Sequence, residues 1–351
     1  MARDFDQIRA ALGERKLNYF GYSYGTFLGA TYASMFPHHY RAMVLDGPID
    51  ATAYINKPYR DLQEQTQGFE RARSRFFQAC AADQAACSNF GGGDPWLAYD
   101  ELVDQANASP IPAAGDTAHP EPVDGDDINF FAANELYAKE FWPELGQALA
   151  QAAAGDATLI REIVDGDYGR NDDGTYSNGL DLYFTIGATE QRYPRNVQFY
   201  LDRGDEAWGL FDHDYWNNGY VELNYGLWPA RDRDAYRGPF RVPGSAQTPL
   251  IVATTYDPAT PYRGALRLVR DLRNDRLITM RGDGHTAYGG ESACIDAAVE
   301  RYVNTLAVPP AGTKCNQDTP FAAPAAAPAL TKNARVATET RKIVAARVPR
   351  P

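Results

Sequence analysis

The sequence LNYFGYSYGT, residues 17–26, decides how the rest of the chain is interpreted. Its first four residues are mostly apolar and end at Gly21, which is typical of a short buried strand. Residues 26–35 have the pattern of a helix that ends before Pro37. Between strand and helix lies GYSYG, residues 21–25, which matches the pattern G-x-S-x-G of a serine on a sharp strand-to-helix turn. The stretch therefore predicts a strand, a tight turn that carries a serine, and a helix.

The small residues around Ser23 have a steric reason. A serine in a strained turn leaves no room for side chains two residues away, and Gly21 and Gly25 leave that space open. The N-terminus of the following helix points at the serine, where it favours a developing negative charge. Ser23 is therefore the candidate nucleophile. The alternative is a plain glycine-rich turn between a strand and a helix.

A serine hydroxyl needs a base, and the chain has five histidines to supply one. His285 lies in GDGHT, residues 282–286, directly after the last predicted strand. In folds with this strand–turn–helix arrangement, the base lies late in the chain on a loop at the carboxyl edge of the sheet. His285 is therefore the candidate base, with a surface loop histidine as the alternative. The other four lie in a helix-end turn or in the middle of the chain: His38, His39, His119 and His213.

The histidine in turn needs a carboxylate to orient it. Asp257 lies in YDPATP, residues 256–261, where two prolines stiffen the loop after a predicted strand. The chain order Ser23, Asp257, His285 is that of α/β-hydrolases. Asp46, which follows an earlier strand, is the rival acid. Asp283 is interpreted as a surface residue because it leaves its strand beside the base.

Strands and helices alternate at both ends of the chain. The first 50 residues predict helix, strand, helix, strand over 3–12, 17–20, 26–35 and 42–45, and the later part predicts strand, helix, strand, helix over 249–254, 262–272, 276–280 and 292–306. Between them no such alternation is visible. We predict an α/β-hydrolase with core segments 1–49 and 243–318, a mainly helical cap over 50–242 and a disordered Ala/Pro-rich basic tail over 319–351.

The net charge of −12 argues against a nucleic-acid partner. No run of about 18 apolar residues occurs, so no membrane-spanning helix is expected. The first residues are acidic and lack the apolar stretch of a signal peptide. No cofactor is indicated, and nothing in the sequence specifies an oligomeric state.

Four cysteines form two local groups, Cys80 with Cys87 and Cys294 with Cys315. An even number in nearby pairs suits two disulfides and an oxidising compartment. The alternative is four buried free thiols. No Cys-x2-Cys or Cys/His spacing is present, so no metal site is predicted.

Several segments together resemble the bacterial tripeptidyl aminopeptidase-like α/β-hydrolases, which are secreted or envelope-bound serine exopeptidases. They are AALG at 10–13 with GYSYGT at 21–26, VLDG at 44–47, YDPATPY at 256–262, and the run from SAC at 292–294 to GTKC at 312–315. The last run is similar to the closing disulfide segment of that family. A further cysteine pair that the family usually carries in its cap is absent here.

The resemblance implies a mechanism in which Ser23 attacks a peptide carbonyl, His285 shuttles the proton and Asp257 holds the imidazole. It implies one oxyanion-hole donor from the backbone N–H of Tyr24, and a cap carboxylate, for which we select Glu190, that binds the substrate ammonium. The expected substrate is a peptide, and the expected location is outside the cell or in its envelope. The rival functions are an esterase or lipase on the same fold and a non-catalytic remnant or binding module.

Only 22 residues precede Ser23, whereas the family places several strands and a glycine-rich loop before its nucleophile. We therefore expect the first strands of the sheet and the second oxyanion donor to be missing from an N-terminally truncated chain.

Overall fold

The structure is a computed structural model that describes residues 1–116 and 118–321. The chain forms two compact units. The sheet unit comprises Met1–Ala72 and Phe184–Thr319, and the helical unit has Arg73–Tyr183 as its body. The predicted bounds of core and cap, at residues 49/50 and 242/243, stay a prediction. The predicted disordered tail lies, from residue 322 on, outside the described residues.

The elements follow one another along the chain as α1 (Ala2–Ala11), β1 (Leu17–Tyr22), α2 (Tyr24–Met35), β2 (Tyr40–Asp46), α3 (Ala51–Asn56), α4 (Pro58–Ala82), α5 (Pro95–Ala108), α6 (Gly125–Glu135), α7 (Trp142–Ala153), α8 (Thr158–Asp167), α9 (Gly179–Glu190), α10 (Val197–Trp208), α11 (Glu222–Leu227), β3 (Leu250–Tyr256), α12 (Tyr262–Leu272), β4 (Arg276–Asp283), α13 (Ala293–Thr305) and β5 (Lys314–Asn316). All eight strands and helices predicted at the two ends of the chain are present.

The five strands pair in parallel in the order β1-β2-β3-β4-β5. Apolar clusters cover both faces. Tyr32, Leu45 and Ile251 belong to one cluster, and Val44 and Val252 belong to the other. Neighbouring residues of one strand thus enter opposite clusters, as the pleat requires. Parallel sheets need this double cover. The predicted α/β class with a parallel sheet is confirmed.

All strands of a parallel sheet end at the same edge. Here β1, β2, β3 and β4 end at Tyr22, Asp46, Tyr256 and Asp283. Ser23, Asp257 and His285 come just after the ends of β1, β3 and β4. They therefore lie along one carboxyl edge of the sheet although they are far apart in sequence. This edge carries the candidate site.

The helical unit has its own core, which includes the buried aromatic residues Phe77, Tyr99, Phe131 and Trp142. Its loop between α5 and α6 contains one backbone pairing. Ile111 and Val123 pair there as an antiparallel bridge, and both side chains are buried.

Two disulfides are present, and both cysteine groups of the sequence are bonded: Cys80 to Cys87 and Cys294 to Cys315. The second joins α13 to the short strand β5. Within residues 1–116 and 118–321, none of the helices combines the length and the apolar character that a membrane crossing needs.

Candidate active site

Ser23 occupies a strained turn between β1 and α2. Its φ is 50° and its ψ is −119°, in a region that non-glycine residues rarely adopt. Gly21 makes the turn possible, because a Cβ there would lie 2.5 Å from the carbonyl oxygen of Gly25. The Ser23 N–H donates to the carbonyl oxygen of Asp46 at 2.9 Å, which ties the turn to the end of β2. The predicted turn is therefore present, with its serine half-buried.

Thr26 braces this turn, a role that the sequence analysis did not identify. Its Oγ1 donates to the Ser23 carbonyl oxygen at 2.6 Å and accepts the Ile49 N–H at 2.9 Å. The Thr26 N–H donates to the same carbonyl at 2.8 Å. Because Thr26 is fully buried, water cannot replace these bonds.

Replacing Thr26 with Val keeps the side-chain shape and removes the hydroxyl. The partly buried Ile49 N–H then lacks its acceptor, so we expect the free energy of unfolding to fall by about 1–3 kcal/mol. Thr26→Ser keeps the hydroxyl and serves as the control, with a smaller loss. Urea denaturation of the three proteins checks this, and equal stability of Thr26→Val and the wild type would contradict the bracing role.

The carboxylate of Asp257 is buried, at 1% exposure, and fully engaged. It accepts the N–H groups of Ala259 at 3.0 Å and Thr260 at 2.8 Å, and the Thr260 hydroxyl at 2.9 Å. The Nδ1 atom of His285 lies 3.0 and 2.9 Å from its two oxygens. The loop thus fixes the direction of the carboxylate through contacts that do not involve the histidine.

His285 lies on the loop after β4, and its Nδ1 faces Asp257. When the imidazole is neutral, a proton on Nδ1 donates to that carboxylate and leaves Nε2 as the basic atom. Burial lowers the pKa of His285, but the charge of Asp257, its hydrogen bond and the charge of Asp46 outweigh burial and raise the pKa above its ordinary value of 6.5.

Ser23 and His285 both border the end of β2. Ser23 is bonded to the backbone of Asp46, and a Cβ on Gly47 would lie 2.8 Å from Cε1 of His285. Gly47 also has a φ of +66°. The position thus requires glycine twice over, since a side chain would be strained and would strike the imidazole. The end of β2 brings the serine turn and the histidine loop to one place.

Two other carboxylates near His285 differ in their contacts. Asp46, the rival acid, is buried and accepts the N–H groups of Ala287 and Tyr288. Asp283 is 6% exposed, so its interpretation as a surface residue is wrong. The strand continues to this residue, and its backbone pairs with the side chain of Gln317 at 3.0 and 2.9 Å.

Glu190 lies beside the residue that follows the serine. Its carboxylate accepts the hydroxyl of Tyr24 at 3.2 Å and that of Tyr54 at 2.9 Å. Burial raises the pKa of Glu190, and the two tyrosine bonds offset only part of that shift. The two tyrosines therefore hold a partly buried acid near the start of α2.

Three of the other histidines have partners of their own. His39 pairs with Asp6, His213 with Glu70, and His119 contacts the carbonyl oxygen of Asn171. In the part of the chain that the structure describes, no group of three or more His, Cys, Asp or Glu side chains is arranged to hold a metal ion.

The chain is similar to two protein families and to several individual proteins. A family model described as alpha/beta hydrolase fold matches residues 1–87, and one described as TAP-like protein matches residues 214–315. The relative named Serine protease Hip1, from Mycobacterium tuberculosis, is 31% identical over 325 residues, which are 90% of this chain and 61% of that protein. Tripeptidyl aminopeptidase from Streptomyces lividans is 32% identical over 310 residues, or 87% of this chain and 55% of that protein. Carboxylesterase B from Mycobacterium tuberculosis is 32% identical over 320 residues, or 90% and 59%.

The parallel sheet, the serine turn after β1 and the match over residues 1–87 define an α/β-hydrolase. The chain spans about 55–61% of the length of the three relatives named above. Together with the TAP-like match over residues 214–315, these relatives confirm the resemblance to the tripeptidyl aminopeptidase-like α/β-hydrolases that the sequence indicated.

Proposed function

We propose that the chain is a serine hydrolase that cleaves peptide bonds near the N-terminus of peptides, with Ser23, Asp257 and His285 as its triad. One observation carries the proposal: a buried Asp257–His285 pair lies at the same sheet edge as the strained Ser23 turn, and both border the end of β2. Relatives named as a serine protease and a tripeptidyl aminopeptidase support the choice of peptides.

The reaction follows from these positions. His285 Nε2 takes the Ser23 proton as the hydroxyl oxygen bonds to the substrate carbonyl carbon. The imidazolium is stabilised by Asp257 and then gives its proton to the leaving amine, which releases the C-terminal part of the peptide. Water, deprotonated by the same histidine, breaks the acyl ester and restores Ser23. The backbone N–H of Tyr24, in the first turn of α2, has no acceptor within the helix and donates to the oxyanion.

Glu190 selects substrates with a free N-terminus in this proposal. A carboxylate held by Tyr24, the neighbour of the nucleophile, lies close enough to the turn to bind the ammonium of a short peptide. Its two tyrosine partners donate hydrogen bonds and neutralise no charge, so the negative charge remains for the substrate.

Replacing Glu190 with Gln removes the charge, and the amide can still accept one tyrosine hydroxyl through its oxygen and donate to the other through its nitrogen. A charge-assisted hydrogen bond contributes about 1.5–3 kcal/mol, so we expect KM for free tripeptide p-nitroanilides to rise about 10- to 100-fold with little change in kcat. N-acetylated substrates and p-nitrophenyl esters should not respond. Because its pKa is raised, Glu190 loses its charge early as the pH falls, and KM should rise in parallel.

The matched control for this variant is Glu206→Gln, an exposed glutamate on α10. It should leave both constants unchanged. An equal effect of Glu190→Gln on free and acetylated substrates would contradict ammonium binding and indicate a structural role.

An esterase is the second candidate function, supported by the relative named Carboxylesterase B. Free peptide anilides, N-acetylated peptide anilides and short p-nitrophenyl esters separate the two. We expect hydrolysis of the free peptides; hydrolysis of esters alone would favour the esterase. A fluorophosphonate probe that fails to label Ser23 in the folded chain would favour a non-catalytic binding role.

The two disulfides support a location in an oxidising compartment, outside the cell or in its envelope. Free-thiol titration of protein isolated from its native compartment checks this. We expect no reactive thiol, and four reactive thiols would contradict it.

A further inference from the structure

Asp46 is the buried last residue of β2. Its side chain and its backbone form hydrogen bonds to two different segments of the chain. The side chain is 0% exposed, and its carboxylate accepts the Ala287 N–H at 3.1 and 3.0 Å and the Tyr288 N–H at 2.8 Å. These two N–H groups follow His285 by two and three residues. The carboxylate therefore holds the loop that carries the proposed base.

The backbone of the same residue holds the proposed nucleophile. The Asp46 carbonyl oxygen accepts the Ser23 N–H at 2.9 Å, and the next residue, Gly47, donates its N–H to Val252 at 3.1 Å. One strand end thus fixes the serine turn by its main chain and the histidine loop by its side chain. Any movement of Asp46 changes the position of both.

The cost of this arrangement indicates a function. An ionised carboxylate is expensive to bury, and a neutral Asn in the same place could accept the same hydrogen bonds. A charge at this position, however, attracts the imidazolium that forms on His285 during turnover. Asp257 lies on the Nδ1 side of that ring, and the charge of Asp46 also raises the pKa of His285, so both acids favour the imidazolium.

We propose that Asp46 is a positioning residue for the base: its carboxylate anchors the loop from His285 to Tyr288 onto β2, and its charge stabilises the imidazolium. The inference rests on the proposed function, in which His285 takes the Ser23 proton.

The charges that face Asp46 determine how the protein responds to pH. His285, Asp257 and Tyr22 are the titratable groups around it. Burial raises the pKa of Asp46 to about 7, although the two backbone bonds and His285 lower it, and Asp257 raises it further. The Asp46 charge is therefore lost as the pH falls through 7. The pKa of His285 is raised above 6.5, so its protonation also reduces activity as the pH falls, and the two protonations act in the same direction.

On the acid side of its pH profile, the wild type should consequently show two protonations. A plot of its log kcat/KM against pH should have a slope of about two there. In Asp46→Asn one titration is gone, and we expect a slope of one, a midpoint at lower pH and a kcat about 10- to 100-fold lower with KM little changed. A one-proton limb in the wild type would overturn the electrostatic role, and this holds even if the variant fails to fold.

The loop offers a matched control in Asp296, whose carboxylate accepts the next two N–H groups, those of Gly289 at 2.9 Å and Gly290 at 3.0 Å. Asp296→Asn loosens the same loop at a point further from His285. It should keep the wild-type kcat and the two-proton limb. An equal loss in both variants would mean that loop stiffness alone matters, and would overturn the specific role of Asp46.

An NMR titration of the His285 imidazole separates this inference from the proposed function, because it needs no turnover. Its resonance is assigned by comparison with His285→Gln. We expect Asp46→Asn to lower the pKa of His285 and Asp296→Asn to leave it unchanged. If this shift occurs in a chain that hydrolyses none of the substrates, the proposed function fails and the coupling stands. If the chain is active and neither kcat nor the His285 pKa responds to Asp46→Asn, the role of Asp46 is overturned.

Discussion

Ser23→Ala is expected to lower kcat on the order of 10⁶-fold, because it removes the side chain proposed to form the acyl bond. His285→Ala should cost about as much, since an unactivated serine hydroxyl is a poor nucleophile. The double variant Ser23→Ala/His285→Ala should be no slower than either single one. Residues that act as one unit give such non-additive losses. Single-turnover assays on the best free peptide measure all three.

The strained backbone at Ser23 supplies the control. Its φ of 50° is unfavourable for Ala as well as for Ser, so Ser23→Ala should leave the stability near that of the wild type. Ser23→Gly also removes the hydroxyl but relieves the turn, and we expect it to raise the free energy of unfolding by about 1–3 kcal/mol while it remains inactive. Inactivity in a more stable protein cannot come from a damaged fold. Losses that multiply in the double variant would contradict a shared mechanism.

The sheet could be predicted because its strands are mostly apolar and several of its helices carry an apolar face. Both patterns are local, so strands such as 17–20 and 249–254 can be predicted without knowing what packs against them. The exception is β5, Lys314–Asn316, which has three residues with only the middle one buried. A strand this short has no pattern, and it forms because β4 offers it an edge.

The candidate site was predictable only in part, since its braces are tertiary contacts. Thr260 bonds the Asp257 carboxylate from three residues downstream, a local pattern that threonine and aspartate often form and that could have been noticed. Thr26 and Asp46 act on segments 23 to 242 residues away in sequence, and no spacing rule reaches that far. The two acids at the carboxyl ends of β2 and β3, Asp46 and Asp257, look alike in sequence. Only the fold decides which carboxylate the imidazole faces.

Asp257→Asn is expected to lower kcat by about 10⁴-fold with KM little changed. The amide has nearly the shape of the carboxylate, so the N–H groups of Ala259 and Thr260 can still donate to its oxygen. It no longer fixes the proton of His285 on Nδ1, because an amide accepts a hydrogen bond through one atom only and donates through the other. The imidazole then adopts the tautomer that carries its proton on Nε2 and cannot take the Ser23 proton.

The pH profile distinguishes this loss from a general disturbance. A neutral base is required, so kcat/KM of the wild type should rise with pH through the pKa of His285, with a midpoint above 6.5. Asp257→Asn removes the main contributions that raise this pKa, while burial continues to lower it, so the midpoint should move to lower pH.

Asp275 is the matched control for this substitution. It is partly buried, burial raises its pKa to about 6, and it precedes β4, whereas His285 follows that strand. Asp275 therefore lies at the amino edge of the sheet, away from the proposed triad. Asp275→Asn should keep both kcat and the midpoint of the wild type. A wild-type rate in Asp257→Asn would reassign the acid, and the conserved shape of the amide means that such a result could not be attributed to a rearranged loop.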